Sequence, residues 1–217
     1  MVVLISGSGT NLQAIIDALE AGKMPGKIAA VVSNKADAKG LQRAASHGIP
    51  CEVIDHTEYD SRESFDQALA TIIDQYAPKL VVLAGFMRIL TEGFVNHYTG
   101  RLINIHPSLL PKFKGLNTHQ RAIDANETQH GCSVHFVTYE LDGGPIIGQR
   151  SVAVMPGDTA ELLASRVQKQ EHILYPLVCK LIMEGRLALN DSGPTLDGKQ
   201  LPITGQDFSQ VNDWASY

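Results

Sequence analysis

The sequence predicts an α/β fold: an open, mostly parallel twisted sheet with helices on both faces and an antiparallel edge toward the C-terminus. Three observations predict it. Short apolar runs alternate with stretches of helical periodicity through the first half of the chain, the pattern of repeated βαβ units. The first of these runs, VVLI at 2–5, is apolar at every position, as expected of a strand covered on both faces. Past residue 130, two strand-like runs are separated only by a Gly-Gly-Pro turn, which suits a hairpin at the sheet's edge.

The run at 2–5 leads into SGSGTN at 6–11, after which Leu12, Ile15, Ile16 and Leu19 recur at helical spacing to about Gly22. Strand, glycine turn and helix form an anion-binding design. Free backbone N–H groups and the positive end of the helix dipole suit a phosphate, and glycine allows close approach. The turn departs from the dinucleotide fingerprint, because Leu12 stands at the third glycine position and the run at 28–33 does not end in an acidic residue. It also lacks the lysine of a Walker loop. A glycine turn serving only chain reversal is the plainer alternative.

A strand at 28–33, a short helix at 41–46 and a strand at 51–54 complete a βαβαβ half. From Ser61 a helix keeps Phe65, Leu69, Ile72, Ile73 and Tyr76 on one face and ends before Pro78, and a strand at 79–84 follows. That strand opens into GFMRIL at 85–90. Its apolar side chains either pack or line a slot for a flat ring.

The stretch LINIHPSLLPKFKG at 102–115 organises the rest. Residues two apart on a strand share a face, so Asn104 and His106 project toward one point at the strand's carboxyl end. Pro107 ends the ladder and leaves the imidazole where strand opens into loop. Such ends are where α/β enzymes keep their chemistry. The bland alternative is a satisfied core histidine and a strand-end asparagine.

A short helix is expected at 118–126 and a strand at 132–138, in which His135 reads as structural. After the turn ELDGGP at 140–145 comes a strand at 146–154. Asp142 is either a turn residue making an Asx hydrogen bond or, if the turn folds over His106, the carboxylate that orients the imidazole and favours its charged form. A long helix at 159–185 has Val167, Leu174, Leu177 and Leu181 on its apolar face. Glu171 falls on that face, where a carboxylate needs a partner unless it reaches solvent at the stripe's edge. From 190 the composition is polar, with a marginal hairpin at 195–201, and the last ten or so residues are expected to be loose.

At 217 residues, with 44% hydrophobic and 19% charged residues, the chain suits one domain. Within it we expect a mononucleotide-binding half at about 1–100, a half carrying Asn104 and His106 at about 101–189, and a polar tail at about 190–217. A net charge of -5 argues against a nucleic-acid partner. Cys51, Cys132 and Cys179 are scattered, which suggests neither a disulfide framework nor a zinc site and points to the cytoplasm. No apolar run has the length of a signal-peptide core or a membrane span.

The chain resembles a known family, phosphoribosylglycinamide formyltransferase of purine biosynthesis in its small single-domain bacterial form, over nearly its whole length. The resemblance lies in SGSGTNLQAIIDA, VVLAGFMRIL, NIHPSLLPKFKG, SVHFVTYELDGGPII and RVQKQEH. It implies a Rossmann-like formyltransferase fold that moves a formyl group from 10-formyltetrahydrofolate to the amino group of glycinamide ribonucleotide, with no metal. NIHPSLLP with a D-x-G-P turn also marks methionyl-tRNA formyltransferase and formyltetrahydrofolate deformylase. The early glycine loop, the length and the late Q-x-x-E segment favour the ribonucleotide enzyme.

Carried over by position, the resemblance implies Asn104, His106 and Asp142 as the catalytic group. It implies Gly9, Thr10 and Asn11 at the substrate phosphate and Glu171 at the ribose hydroxyls. Arg62, Met87, Arg88, Ile89, Leu90 and Asn104 match folate-binding positions. Thr10 stands where serine is usual, keeping the hydroxyl, and Asn117 where histidine is common. A cytoplasmic monomer or weak homodimer is implied, acting on two small molecules without nucleic acid or membrane.

The chemistry agrees with the residues. Formyl transfer to an amine passes through a tetrahedral oxyanion, and Asn104 with a protonated His106 could donate to it. Asp142 would favour the imidazolium and help take the amine's proton, directly or through water. Two other readings are open: a formyltetrahydrofolate hydrolase, for which a phosphate loop has no use, and a folate- or nucleotide-sensing module, which has no use for His106, Asn104 and Asp142 together.

Overall fold

A computed structural model describes residues 1–212 and 217. In chain order the elements are β1 (Val2–Ile5), α1 (Thr10–Glu20), β2 (Ala30–Ser33), α2 (Lys39–Ser46), β3 (Cys51–Val53), α3 (Arg62–Gln75), β4 (Val81–Leu83), α4 (Glu92–His97) and β5 (Leu102–His106). They continue with α5 (Thr118–Asp124), β6 (Gln129–Phe136), β7 (Ile146–Ala153), α6 (Ala160–Met183), β8 (Leu187–Asn190), β9 (Gly193–Leu196), β10 (Lys199–Gln200) and β11 (Gln206–Asp207).

Eight strands form one sheet in the order β11-β7-β6-β5-β4-β1-β2-β3. From β3 to β5 every pairing is parallel, and β5–β6 and β6–β7 are antiparallel, so the expected fold class holds. Both faces are covered because alternate residues of one run feed two cores. Val3, Ile5, Val31, Val82 and Ile103 pack with residues of α1 and α6, whereas Val2, Leu4, Val32, Val81 and Leu102 pack with Phe65 and Leu69 of α3, Phe94 of α4 and Tyr98 just after it. Each such fully buried side chain contributes about 1.5–3 kcal/mol. That explains why the run shows no polar alternation.

The order of strands reverses between β1 and β4, with β2 and β3 on one side and β5 on the other. Loops leaving the carboxyl ends of β1, β4 and β5 therefore open at one crevice, the usual ligand site of such sheets. Tyr175 of α6 braces this end from below. Its buried hydroxyl lies 2.8 Å from the Leu83 carbonyl and 3.2 Å from that of Ile103.

Three elements differ from expectation. Helix α4 is absent from the sequence reading because six residues are too few for a periodic signal, although Thr91 caps it and Glu92 sits in its first turn. The hairpin at 195–201 exists as β9 and β10, turning on Asp197 and Gly198 at φ 49° and 76°, and β8 extends it to three strands. The tail is not loose where it is described. Strand β11 pairs with β7, Phe208 is fully buried over Gly148, and the buried Arg150 donates to the carbonyls of Phe208 and Val211. One aromatic ring and one buried guanidinium outweigh the polar composition around them. The expectation for the final residues falls partly on 213–216, outside the described residues. Among the described residues no helix is long and apolar enough to cross a membrane.

Candidate active site

The glycine turn is shaped by backbone contacts before any ligand is considered. Gly9 caps α1 in the left-handed region at φ 70°, and a Cβ built there would stand 2.7 Å from the Gly40 backbone. Only glycine fits. The turn's carbonyls are tied back: Gly40 N–H donates to Gly7 O at 3.0 Å, and Arg43 Nε donates to Ser8 O at 2.8 Å. Glycine offers no capping side chain and the first turn of α1 carries no acidic residue, so the helix presents open N–H groups and an uncompensated positive end.

Long helix α6 closes the other side. Glu171 is half-buried on the apolar stripe of the helix, and its partner is Asn11, whose Nδ2 donates to Oε2 at 2.9 Å across 160 residues of sequence. Burial raises the Glu171 pKa and the Asn11 bond opposes that rise. Gln168 Nε2 donates to Thr10 Oγ1 at 3.2 Å. Among the described residues, Asn11 Oδ1 is buried with no hydrogen-bond partner. A ligand donor or a water would satisfy it. The structure thus brings Gly9, Thr10, Asn11 and Glu171 to one corner, and adds Gln168.

The loop after β4 is clamped at both ends. Met87 N–H donates to the buried Ser6 hydroxyl at 2.7 Å, and Thr91 N–H donates to the Asp66 carboxylate at 2.6 Å. Phe86, just before the first clamp, and Leu90 turn into the core, and Met87 and Ile89 point outward, 64% and 52% exposed. Arg88 lies over the Phe65 ring at 5.3 Å. A cleft of about 590 Å³ between α3 and α4 is lined by Arg62, Gln67, Ile89, Leu90 and Tyr139 among others, a size suited to a small-molecule ligand. Met87 and Arg88 do not line that cleft. The sequence reading missed Ser6 and Asp66, each of which acts through a partner remote in sequence, and Tyr139, which lines the cleft from a distant segment.

At the end of β5, Asn104 and His106 share a face as period two requires. His106 is only 6% exposed. Its Nδ1 lies 3.4 Å from Asp142 Oδ2, and its Nε2 lies 2.9 Å from the Phe113 carbonyl, so Nε2–H donates to that carbonyl. The turn at 140–145 does fold over the imidazole. Asp142 adopts φ 48°, and a Cβ on Gly144 would sit 1.8 Å from the Phe136 carbonyl, so glycine is required for the turn to lie this close to β6. The Asp142 carboxylate accepts from Gly115 N–H at 2.9 Å rather than closing an Asx turn.

His135 is a core histidine, as expected, yet it also faces this cluster. It stands opposite Asn104 in the β5–β6 ladder, beside a register shift at Val134 and His135. Its Nδ1 lies 3.0 Å from the Phe136 carbonyl and its Nε2 3.3 Å from Asn104 Nδ2. Burial lowers its pKa, so the neutral ring with Nδ1–H is favoured and Nε2 accepts from Asn104. One Asn104 hydrogen is used there and the other is left for a ligand. Register is the signal that would have revealed His135, and it is not readable from one strand.

Next to the cluster, His119 Nδ1 and His130 Nε2 lie 3.1 Å apart. Burial lowers both pKa values, that of His130 from 6.5 to about 4. The unfolded chain protonates His130 below 6.5 whereas the folded chain waits until about 4, so stability is undiminished above 6.5 and falls as pH drops through that window. The expected loss is about 3 kcal/mol. Urea unfolding at pH 7.5 and 4.5 should show His130→Asn losing less stability than the parent. Equal losses would refute a buried neutral ring.

The family described as formyl transferase matches residues 1–179 of the chain. A phosphoribosylglycinamide formyltransferase of Escherichia coli (strain K12) is 55% identical over 205 residues, 94% of this chain and 97% of that protein. One from Haemophilus influenzae (strain ATCC 51907 / DSM 11121 / KW20 / Rd) is 50% identical with the same coverage of both chains, 94% and 97%. The solved structure of the phosphoribosylglycinamide formyltransferase from Coxiella burnetii superposes with a TM-score of 0.92 at 54% identity, covering 95% of this chain and 97% of that one.

Proposed function

The chain belongs to the formyl transferase family, and from that premise we propose that it transfers a formyl group from 10-formyltetrahydrofolate to the amino group of glycinamide ribonucleotide in purine biosynthesis. One observation carries the assignment of roles. His106 Nδ1 and Asp142 Oδ2 meet at 3.4 Å beside Asn104, at the crevice where the glycine turn and the loop after β4 also open.

The amine attacks the formyl carbon as the carbonyl becomes an oxyanion. The free Asn104 N–H and the His106 imidazolium donate to that oxygen, and removing one such donor costs about 100-fold to 1,000-fold. The new C–N bond survives, the bond to the folate nitrogen breaks, the amine gives up a proton and the folate nitrogen gains one. Asp142 orients the imidazole. Open N–H groups at Gly9, Thr10 and Asn11 take the ribonucleotide phosphate, and Glu171, already steered by Asn11, accepts from the ribose hydroxyls. Arg62, Ile89 and Leu90 hold the folate in their cleft, and Met87, Arg88 and Asn104 contact the part of it that extends beyond. The whole chain serves this reaction, residues 1–100 mainly binding nucleotide and 101–189 mainly catalysing. It works in the cytoplasm as a monomer or weak homodimer.

The test is tetrahydrofolate release followed by absorbance with 10-formyltetrahydrofolate and either glycinamide ribonucleotide or water. Rapid release only with the ribonucleotide is expected. Equal rates with water alone would make the protein a hydrolase instead.

The phosphate site has its own test. Gly9→Val is expected to lose about 2 kcal/mol or more of stability, because it strains φ and collides with Gly40, so a raised Michaelis constant in that variant reports the fold as much as the ligand. Thr10→Val removes one hydroxyl and keeps the backbone. It should raise KM for the ribonucleotide about tenfold and leave that for the folate unchanged. Equal rises would separate Thr10 from the phosphate.

A further inference from the structure

We propose that Arg121, on α5, is a positioning residue for the His106–Asp142 pair, acting through the turn at 113–116; this rests on the catalytic roles just assigned. That turn touches both members of the pair. The Phe113 carbonyl accepts the His106 Nε2 proton at 2.9 Å, and Gly115 N–H donates to Asp142 Oδ2 at 2.9 Å.

A turn with two such duties needs to be held, and its own conformation works against it. Phe113 is a non-glycine residue in the left-handed region, at φ 57°. This costs about 1–2 kcal/mol for a residue with a side chain. Arg121 supplies the restraint. Its Nη1 donates to the Lys114 carbonyl at 2.6 Å and to the Leu116 carbonyl at 3.2 Å, on either side of Gly115. Its guanidinium also lies 5.4 Å from the Phe113 ring. The helix that carries it is tied to the residue after His106, since Thr118 Oγ1 donates to Pro107 O at 2.7 Å. A second tie, Lys114 to Glu140 at 2.7 Å, is solvent-exposed and of little energy.

Holding Phe113 O in place commits the Nε2 proton to it. Nδ1 then becomes the nitrogen that faces Asp142 and the reacting atoms. Holding Gly115 fixes which Asp142 oxygen faces the ring. If the turn slackens, the imidazole can rotate or exchange tautomers, and the charged neighbours do not prevent it: His119 and His130 are neutral and Asp142 has lost its anchor. A lysine could reach one carbonyl but not bridge two while stacking on a ring.

The experiment compares full-length Arg121→Gln and Arg121→Lys with the parent. Both should fold, since Arg121 is exposed. For Arg121→Gln kcat should fall about tenfold, with KM for both substrates within about twofold of the parent. Arg121→Lys should fall between. Nitrogen-15 NMR of His106 should show Nε2–H in the neutral parent ring and a mixture of tautomers in Arg121→Gln. A parental tautomer pattern or a parental kcat in Arg121→Gln would overturn the proposal. The tautomer measurement needs no turnover, so it stands even if the assigned reaction fails.

Discussion

Replacing His106 by alanine is expected to reduce kcat by roughly a hundredfold to ten-thousandfold, the usual worth of a positioned acid in the transition state. The imidazole sits at a strand end and its two nitrogens are aimed at a carboxylate and a carbonyl, so its loss removes a charged donor that no neighbour replaces. His135 cannot stand in, because burial keeps it neutral and its Nε2 is occupied by Asn104. The fold should survive with a stability loss of about 1–2 kcal/mol, since the Phe113 carbonyl is left without its donor. Turnover and urea unfolding measured on the same preparation check both parts. Parent-like turnover in folded protein would remove His106 from the chemistry.

Asp142→Asn is expected to lower kcat by about a hundredfold or more while leaving the turn in place. An asparagine oxygen can still accept from Gly115, and Gly143 and Gly144 keep the backbone path, so shape is conserved while charge is lost. The carboxylate 3.4 Å from Nδ1 orients the ring and sets a negative charge beside the reacting atoms, whereas an amide keeps only the shape. Steady-state kinetics and urea unfolding on the same preparation check this. Unchanged turnover in folded protein would return Asp142 to the turn alone.

Much of this site was legible in sequence because short-range periodicity carries it. Period two put Asn104 and His106 on one face, and period 3.6 put Glu171 on the buried stripe of its helix, where a partner had to exist. Pairing partners were not legible. That Glu171 meets Asn11, that Met87 hangs on Ser6, and that His135 faces Asn104 each depend on which strands are neighbours and in what register. The tail misled for a related reason. Its polar composition says nothing of Phe208, whose burial depends on the space above Gly148.

By itself the sequence determined the alternation of elements, the two-faced burial of the central strands, the breaks at Gly9 and Pro107, and the residue types gathered at the strand ends. These follow from local sterics and from the spacing of apolar side chains, which act over a few residues. Only the tertiary structure decided that the turn at 140–145 lies over His106, that the turn at 113–116 bonds both His106 and Asp142, and that Arg121 clamps it. Those contacts join segments whose separation in space is set by packing of the whole sheet. A hydrogen bond discriminates distances of a few tenths of an ångström, and no local pattern specifies them.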